Sequence, residues 1–279
     1  MKVSIITINY NNRDGLKKTI ESVVNQTYTD FEYIIIDGGS TDGSVDVIKE
    51  YADKIDYWVS EPDRGIYHAM NKGIAFAQGE YCIFMNSGDT FCAMDTIKRV
   101  DDSGLNADIV CGNTIMLDRY EPPKEITFKR LYSGSICHQC AFIKSELMKK
   151  YQYDEKYRIV ADRKFFMQAL ILDNCSYSAI DVDVVNYDIN GLSSSNRSLS
   201  DYEHSCMLEE LIPERIRLDY GRQTFGVLYG DTDYEKFFFE VGKHNYRGLV
   251  YSVSNVMLRF ISLFKKSAAF SKIFPLRLN

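Results

Sequence analysis

The chain has 279 residues, enough to bury a large core, and its 20 tyrosines and 16 phenylalanines argue against a disordered protein. Its net charge of −6 argues against a nucleic-acid-binding protein. The charge is unevenly divided. Residues 241–279 carry seven basic side chains and no acidic one, whereas residues 1–240 carry 26 basic and 39 acidic side chains.

Four apolar runs in the first 90 residues predict strands, and helical patterns lie between them. The predicted strands cover residues 3–8, 31–36, 57–59 and 81–85. Asp14 is placed to cap the helix after the first strand. Because helical crossovers join parallel strands, these four βα steps predict a nucleotide-binding α/β half.

The second half of the chain is less regular. Further strands are predicted at 108–111, 140–143 and 177–185, and helices at 162–172 and about 201–220. The polar stretch from Gly191 to Asn196 is typical of a lid-type loop.

The cysteines and the first residues predict a cytosolic protein. Seven cysteines, an odd number, are scattered along the chain and indicate reduced thiols. The start of the chain is too short and polar for a signal peptide. The segment Cys137–Cys140 is spaced like a zinc or redox fragment, but a second ligand pair is missing, so metal binding there is not expected.

The segment Asp37–Ser44 directly follows an apolar strand. It predicts a carboxylate at the carboxyl edge of the sheet, where open α/β folds bind their ligands. Ser40, Thr41 or Asp42 can cap the next helix, and a plain turn is the alternative interpretation. The segment lacks the lysine of a Walker loop, and no Gly-x-Gly-x-x-Gly follows a strand. An ATPase and a nicotinamide dehydrogenase are therefore disfavoured.

The segment Asn86–Asp89 follows the fourth predicted strand. Asp89 at this edge suits Mg²⁺ or Mn²⁺ held mainly by ligand phosphates, and an aspartate in a tight turn is the alternative.

The segment Glu61–Tyr67 leads from the third strand into a helix. Its backbone N–H groups and Arg64 could face phosphates. Alternatively, Asp63 is only a cap and Arg64 only a solvated charge. Asn71 and Lys72 are polar positions in an otherwise apolar helix, which favours a site facing inward.

Five motifs in order resemble the family 2 glycosyltransferases, in particular bacterial members that build surface polysaccharides. They are Asn9–Asn12, Asp37–Ser44, Glu61–Tyr67, Ala69–Ile74 and Asn86–Asp89. The resemblance is dense over residues 1–90 and thins to isolated motifs up to about Ser194. It implies the α/β fold called GT-A, with a mixed central sheet that is parallel in its first half and flanking helices. We expect this domain to cover 1–220, with a nucleotide-binding half (1–100) and an acceptor half (101–200). The spacing of apolar and basic residues beyond it predicts a helical, basic amphipathic C-terminal region (221–279).

The resemblance implies that a hexose or N-acetylhexosamine is transferred, with inversion, from a nucleoside-diphosphate sugar to an acceptor hydroxyl. The expected nucleotide is UDP. Asp37 would hold the nucleobase, and Asp89 would bind Mg²⁺ or Mn²⁺. The family's usual first acid is replaced here within the turn 86–88. The residues expected to contact the nucleotide sugar are Thr7, Asn9, Tyr10, Asp37, Gly38, Asp63, Arg64, Asn71, Lys72, Asn86, Ser87, Gly88 and His138.

The catalytic base is expected at Asp162, because Val160–Arg163 resembles the Ala-Asp-Tyr-Asp segment of the family. A plain helix cap is the alternative. Arg163 replaces the usual tyrosine, and His68 stands where relatives usually carry aspartate. His138 and the glutamine after it match a His-Gln pair of related members, with a satisfied core histidine as the alternative.

The basic tail predicts contact with a membrane surface through residues 246–274. Apolar residues repeat at helical spacing there, with basic residues between them. Packing on protein is the alternative. A lipid-linked glycan acceptor, on the cytoplasmic face of the membrane, would explain such an anchor.

Two other classes stay open. A sugar nucleotidyltransferase should carry a Gly-rich basic loop after the first strand, and Asn9–Arg13 has none. A non-catalytic nucleotide-sugar-binding protein of the same fold would bind the donor without turnover.

Overall fold

A computed structural model describes residues 3–189 and 196–226 of the chain. The strands in this part are β1 Val3–Asn9, β2 Phe31–Asp37, β3 Tyr57–Ser60, β4 Tyr81–Phe84, β5 Thr90–Phe91, β6 Ile109–Ile115, β7 Arg119–Tyr120, β8 Ala141–Lys144 and β9 Tyr177–Asn186. The α-helices are α1 Arg13–Val24, α2 Ser44–Glu50, α3 Ile66–Phe76, α4 Thr96–Ser103, α5 Phe128–Ser133, α6 Ser145–Tyr151, α7 Ala161–Phe166, α8 Arg197–Leu211 and α9 Glu214–Gly226.

The described strands form one mixed sheet in the order β3-β2-β1-β4-β8-β6-β9-β5, with β7 paired to β6. The strands β3, β2, β1 and β4 are mutually parallel, as predicted for the first half of the chain. The strand β8 then runs antiparallel to both β4 and β6, whereas β9 is parallel to β6. The carboxyl end of β9 therefore lies at the same edge as the carboxyl ends of β1 to β4.

The core lies on the sheet and is built by the apolar runs that the sequence predicts. Ile34, Ile35 and Ile36 in the middle of β2 are all fully buried, because helices cover both faces of a parallel sheet. The helix α1 presents Leu16, Ile20 and Val23 to this core at helical spacing.

Gly73 allows α3 to approach β1 closely. A Cβ added there would lie 2.4 Å from Cγ2 of Ile6, a branched side chain that cannot swing away. We expect Gly73→Ala to lower the free energy of unfolding by about 1–3 kcal/mol, even though alanine favours helix. Denaturant unfolding measures the loss, and Ala75→Gly on the exposed side of α3 controls for helix propensity. A more stable Gly73→Ala protein would contradict this packing.

Three local predictions need correction. The cap of α1 is Asn12 rather than Asp14, because the Asn12 Oδ1 accepts the N–H of Gly15 at 3.2 Å. The predicted helix 162–172 is α7 followed by a π-helix, Met167–Leu172, in which the N–H of Asp173 bonds to the carbonyl of Gln168. The predicted helix at about 201–220 is two helices, α8 and α9, separated at Pro213, which cannot donate a backbone hydrogen bond.

The chain groups into two compact units that divide between Ile212 and Pro213, and of the second unit the structure describes residues 213–226. The domain boundary expected at residue 220 stays a prediction. The predicted loop at 191–195 and the basic amphipathic segment 246–274 lie outside the described residues. Within 3–189 and 196–226, no helix combines the length and apolar character needed to cross a membrane.

Candidate active site

Four polar residues at the carboxyl ends of neighbouring strands form a hydrogen-bonded row. Asn9, Asp37 and Ser60 end β1, β2 and β3 and stand in register, and Ser87 follows β4. The Asn9 amide donates to Asp37 Oδ1 at 2.7 Å, and the Ser60 hydroxyl donates to Asp37 Oδ2 at 2.6 Å. The Ser87 hydroxyl donates to the Asn9 Oδ1 at 2.7 Å. This polar row (Ser60, Asp37, Asn9 and Ser87) follows the strand order β3-β2-β1-β4.

Asp37 is the centre of the polar row and is fully buried. Besides Asn9 and Ser60, it accepts hydrogen bonds from the hydroxyl and N–H of Ser40, at 2.6 and 2.9 Å, and from the N–H of Gly39 at 3.2 Å. Burial raises the pKa of Asp37, but these hydrogen bonds outweigh it and hold the pKa below its ordinary value. Asp37 thus organises the loop after β2, and a nucleobase could bind its carboxylate only by replacing one of these donors.

Tyr10 and Asp63 pack against the backbone of Gly38, which follows Asp37 of the polar row. The Tyr10 side chain follows β1 and is 67% exposed, which is unusual for an aromatic residue at the end of a buried strand. A Cβ at Gly38 would lie 2.5 Å from Asp63 Oδ2 and 3.2 Å from Cδ2 of Tyr10. Glycine therefore lets both side chains close over the backbone. The exposed ring provides a flat surface on which a base could stack.

The side chains of Thr7 and Asn71 form hydrogen bonds with backbone groups of the protein. The Thr7 hydroxyl is fully buried and bonds to the carbonyl of Met85 at 2.8 Å. The Asn71 amide donates to the carbonyl of Tyr153 and accepts its N–H, both at 2.8 Å. Asn71 thereby fixes the segment around Tyr153, which explains a polar residue on the inner side of α3 without a ligand.

Arg64 and Lys72 are paired with acids in this structure. Arg64 bonds to Glu155 at 2.6 Å, and Lys72 to Glu61 at 2.7 Å. Both pairs are partly exposed, and such pairs contribute only about 0–1 kcal/mol. A diphosphate could therefore replace the carboxylates at small cost.

The turn Asn86–Asp89 is held by a buried threonine of α1. The Thr19 hydroxyl donates to the carbonyl of Asp89 at 2.7 Å and accepts the N–H of Gly88 at 2.9 Å. Gly88 has a φ of +111°, a conformation that favours glycine. The turn thus has a fixed shape and directs Asp89 toward the carboxyl end of β9.

Asp89 and Asp188 come together at this point. Asp89 is only 3% exposed and its Oδ1 accepts the N–H of Asp188 at 2.8 Å. A Cβ at Gly88 would lie 2.6 Å from Asp188 Oδ2, so the Asp188 carboxylate covers the turn. Burial raises the pKa of Asp89 to about 6, and the charge of Asp188 adds to the effect.

The oxygen atoms around Asp89 fit a hard divalent cation. The buried Oδ1 of Asn86 has no hydrogen-bond partner in the described part of the chain, and in the same turn the Asp89 carboxylate accepts the N–H of Asp188. Mg²⁺ commonly takes one or two carboxylates and completes its shell with water and phosphate oxygens. Residues 3–189 and 196–226 contain no cluster of three or more His, Cys, Asp or Glu side chains that could hold a metal without such help.

Asp162 lies in the first turn of α7 and contacts two side chains of the site. Its Oδ2 lies 3.2 Å from Nδ1 of His138, and its Oδ1 accepts the Tyr67 hydroxyl at 3.2 Å. The helix cap is Val160, so the interpretation of Asp162 as a plain cap is wrong. The side chain is about 15% exposed, which leaves the carboxylate accessible to a hydroxyl of a ligand.

His138 bonds to Asp162, and its pKa responds to the charge of Asp89. Burial lowers the pKa of His138, but the hydrogen bond to Asp162 and the negative charges of Asp162 and Asp89 outweigh it and raise the pKa. Its buried Nε2 has no hydrogen-bond partner within the described residues, so His138 is not a fully satisfied core histidine. The candidate base and the candidate metal ligand therefore act on one imidazole.

Four residues of the site were not predicted as site residues from the sequence: Thr19, Ser60, Tyr67 and Asp188. Ser60 and Asp188 could have been found, because each stands at the carboxyl end of a predicted strand. Nothing in the local sequence distinguishes Thr19. Tyr67 stands at the end of the motif Glu61–Tyr67, but its contacts with Ile159 and Asp162 lie far along the chain and could not be predicted.

The sequence profile of Glycosyl transferase family 2 matches residues 4–164. An uncharacterized glycosyltransferase of Mycobacterium tuberculosis is 34% identical over 207 residues, which cover 69% of this chain and 77% of the relative. A PGL/p-HBAD biosynthesis glycosyltransferase of Mycobacterium bovis is 29% identical over 203 residues, or 69% of this chain and 79% of the relative.

Solved structures share the fold. Staphylococcus aureus TarS 1–349 in complex with UDP-GlcNAc has a TM-score of 0.62 at 19% identity, over 82% of this chain and 74% of that chain. In its complex with UDP, TarS 1–349 has a TM-score of 0.57 at 22% identity, and the match spans 67% of this chain and 60% of that chain. The sheet described above is thus a GT-A sheet, as expected. With the profile match and the 34% identical relative, the chain belongs to glycosyl transferase family 2.

Proposed function

We propose that this glycosyltransferase moves a hexose or N-acetylhexosamine from a UDP-sugar to an acceptor hydroxyl, with inversion at the anomeric carbon. The observation that carries the proposal is the geometry around Asp162, whose carboxylate contacts His138 and Tyr67 and keeps about 15% of its side chain exposed. A carboxylate that can take the acceptor proton and a second carboxylate that could hold a cation for the diphosphate are groups that a single displacement at a sugar diphosphate can use. The TarS complexes with UDP and UDP-GlcNAc support this donor class.

The donor would lie across the polar row. The base would stack on Tyr10 beside Gly38 and Asp63, and Asp37 would accept a base N–H in place of a serine hydroxyl. Arg64 and Lys72 would exchange their carboxylate partners for the diphosphate. Asn86, Ser87 and Gly88 would line the path from the ribose to the sugar.

Asp89 would hold Mg²⁺ or Mn²⁺ with help from Asp188 and the orphaned Asn86 Oδ1. A bound divalent cation supplies positive charge for the departing diphosphate. The chain's own residues do the rest of the chemistry. The acceptor oxygen bonds to the anomeric carbon, the bond to the diphosphate oxygen breaks, and the hydroxyl proton moves to Asp162. Tyr67 and His138 orient the Asp162 carboxylate for this transfer.

The acceptor in this proposal is a lipid-linked glycan or a glycolipid. The name of one relative supports a lipid acceptor, a cholesterol galactosyltransferase of Borreliella burgdorferi that is 36% identical over 113 residues, or 39% of this chain and 32% of the relative. The basic composition of residues 246–274 supports peripheral contact with the cytoplasmic face of a membrane.

Calorimetric titration with UDP, GDP and CDP, with and without Mn²⁺, tests the proposed donor site. We expect UDP to bind more tightly with metal, and Asp89→Ala to abolish the gain from metal. Asp102→Ala, at a distant exposed aspartate of α4, is the control and should bind as the unmodified protein does. Failure of all three nucleotides to bind would overturn the proposal, and binding without turnover on any UDP-sugar would indicate a non-catalytic relative.

Tyr10→Ala should weaken UDP binding. Stacking of a base on an aromatic side chain contributes about 1–3 kcal/mol, so Kd should rise by roughly 5- to 150-fold. Tyr10→Phe keeps the ring and serves as the control, with Kd within about twofold of the unmodified protein. An unchanged Kd in Tyr10→Ala would show that the base lies elsewhere.

A further inference from the structure

Glu203 of α8 places a buried carboxylate against three consecutive backbone N–H groups. It accepts the N–H of Arg158 at 2.8 Å, of Ile159 at 2.9 Å and of Val160 at 3.3 Å. Glu203 is only 6% exposed. The segment that it binds ends at the cap of α7, two residues before Asp162.

Glu203 stands on the buried stripe of α8. Ser200, Glu203 and Met207 recur at helical spacing and are all buried. A buried carboxylate is costly unless hydrogen bonds satisfy it, and here the partners are all backbone groups of one segment. The arrangement therefore fixes the backbone of residues 158–160 rather than a flexible side chain.

The segment 158–160 is also held from the other side, by Tyr67. The Tyr67 hydroxyl lies 2.7 Å from the carbonyl oxygen of Ile159 and 3.2 Å from Oδ1 of Asp162. Glu203 therefore binds the backbone N–H groups of residues 158–160, and Tyr67 binds the carbonyl oxygen of Ile159 in the same segment. The position of Asp162 relative to His138 depends on this region.

We propose that Glu203 is a positioning residue of the transfer reaction, which holds residues 158–160 so that the Asp162 carboxylate meets the acceptor hydroxyl. Glu203 lies beyond residue 164, where the family profile ends. The inference rests on the proposed function, because it needs Asp162 to be the base. Displacement of a reacting group by about 1 Å costs on the order of 10²-fold in rate.

Glu203→Gln is the direct test, because glutamine keeps the shape but turns an N–H₂ donor toward a backbone N–H. Glu210→Gln is the matched control on the same helix. Glu210 binds Lys156 and Lys164, both at 2.6 Å, so it anchors α8 to the same region without touching the backbone of residues 158–160.

The first measurement has two readouts on the full chain. Amide hydrogen exchange reports protection at each residue, and NMR reports the ¹⁵N signal of the His138 ring. Glu203→Gln should lose protection at Arg158, Ile159 and Val160 and shift the His138 signal, because the contact with Asp162 changes. Glu210→Gln should retain both. Unchanged protection in Glu203→Gln, or equal losses in the two variants, would overturn the inference.

The second measurement is steady-state release of UDP, with water as acceptor, from whichever of UDP-GlcNAc, UDP-glucose or UDP-galactose turns over fastest. Glu203→Gln should lower kcat by about 10- to 100-fold with the donor KM within about twofold, and Glu210→Gln should keep both. In an Asp162→Asn background, Glu203→Gln should add almost nothing, because it acts through Asp162. Additive losses would overturn the positioning role. Full activity of Asp162→Asn alone would instead overturn the proposed base, so the two failures are distinguishable.

Discussion

Asp162→Asn should lower kcat by about 10²–10⁴-fold, which corresponds to roughly 3–5 kcal/mol of barrier. Asparagine keeps the size of the side chain but cannot accept the proton of the attacking hydroxyl. The donor KM should stay nearly unchanged, because Asp162 contacts His138 and Tyr67 rather than the polar row. Steady-state UDP release from a UDP-sugar measures both quantities.

The matched control is Asp173→Asn, at the end of the π-helix. Asp173 binds Lys150 at the surface, 2.7 Å away, and lies outside the site, so kcat should stay within about twofold. The Kd of UDP, measured by calorimetry, should be the same for the unmodified protein, Asp162→Asn and Asp173→Asn. A kcat for Asp162→Asn within about threefold of the unmodified enzyme would assign the base to another residue.

Asp37→Ala should lower the free energy of unfolding by about 3–5 kcal/mol, because it removes a buried charge that several donors share. The donors of Asn9, Ser40 and Ser60 would lose their acceptor, and the Asn9 amide would lose it in a buried position. Denaturant unfolding should show a lower midpoint with an unchanged slope. Asp46→Ala, on the exposed side of α2, should change stability by less than about 0.5 kcal/mol.

The same carboxylate sets a pH dependence of stability. Hydrogen bonds hold the pKa of Asp37 below its ordinary value of 3.8 in the folded protein. Its contribution is therefore fully present above the unfolded-state pKa and is lost as the pH falls through the folded-state pKa. As the pH falls below about 5 and past the ordinary value of 3.8, the unfolding free energy should fall less steeply in Asp37→Ala than in the unmodified protein. Parallel pH profiles would show that Asp37 does not contribute.

The first half of the fold could be predicted from sequence because its signals are local. Each strand from β1 to β4 is an apolar run, and the parallel pairing follows from the helical crossovers between them. The strands β5 and β7 have two residues each and were missed, because such short strands have no periodicity. The order β8-β6-β9 could not be predicted either, since it joins segments far apart in the chain.

The polar strand ends could be predicted, but their partners could not. Asn9, Asp37 and Asp89 stand where the sequence places them, at the carboxyl edge of the sheet. Their hydrogen bonds to Ser60 and Asp188 cross between elements and depend on register. For Asn71 the polar position was predicted, but in this structure its side chain forms hydrogen bonds with the backbone of Tyr153. The motifs therefore predict where a polar residue lies on the sheet, but they do not predict which groups its side chain binds.

The π-helix after α7 limits how the length of this chain can vary. A π-turn contains an extra residue, so deletion of one residue within Met167–Leu172 would allow a regular α-helix with better hydrogen bonds. It would also rotate one end of the helix by about 100° against the other. The residues just before α7 are held by Glu203 of α8, and the π-helix is held by Met167, Ala169 and Leu170, which are buried in the core. A shortened helix could satisfy one of these attachments but not both, so single-residue deletions there should uncouple the candidate base from its support even if the fold becomes locally more regular.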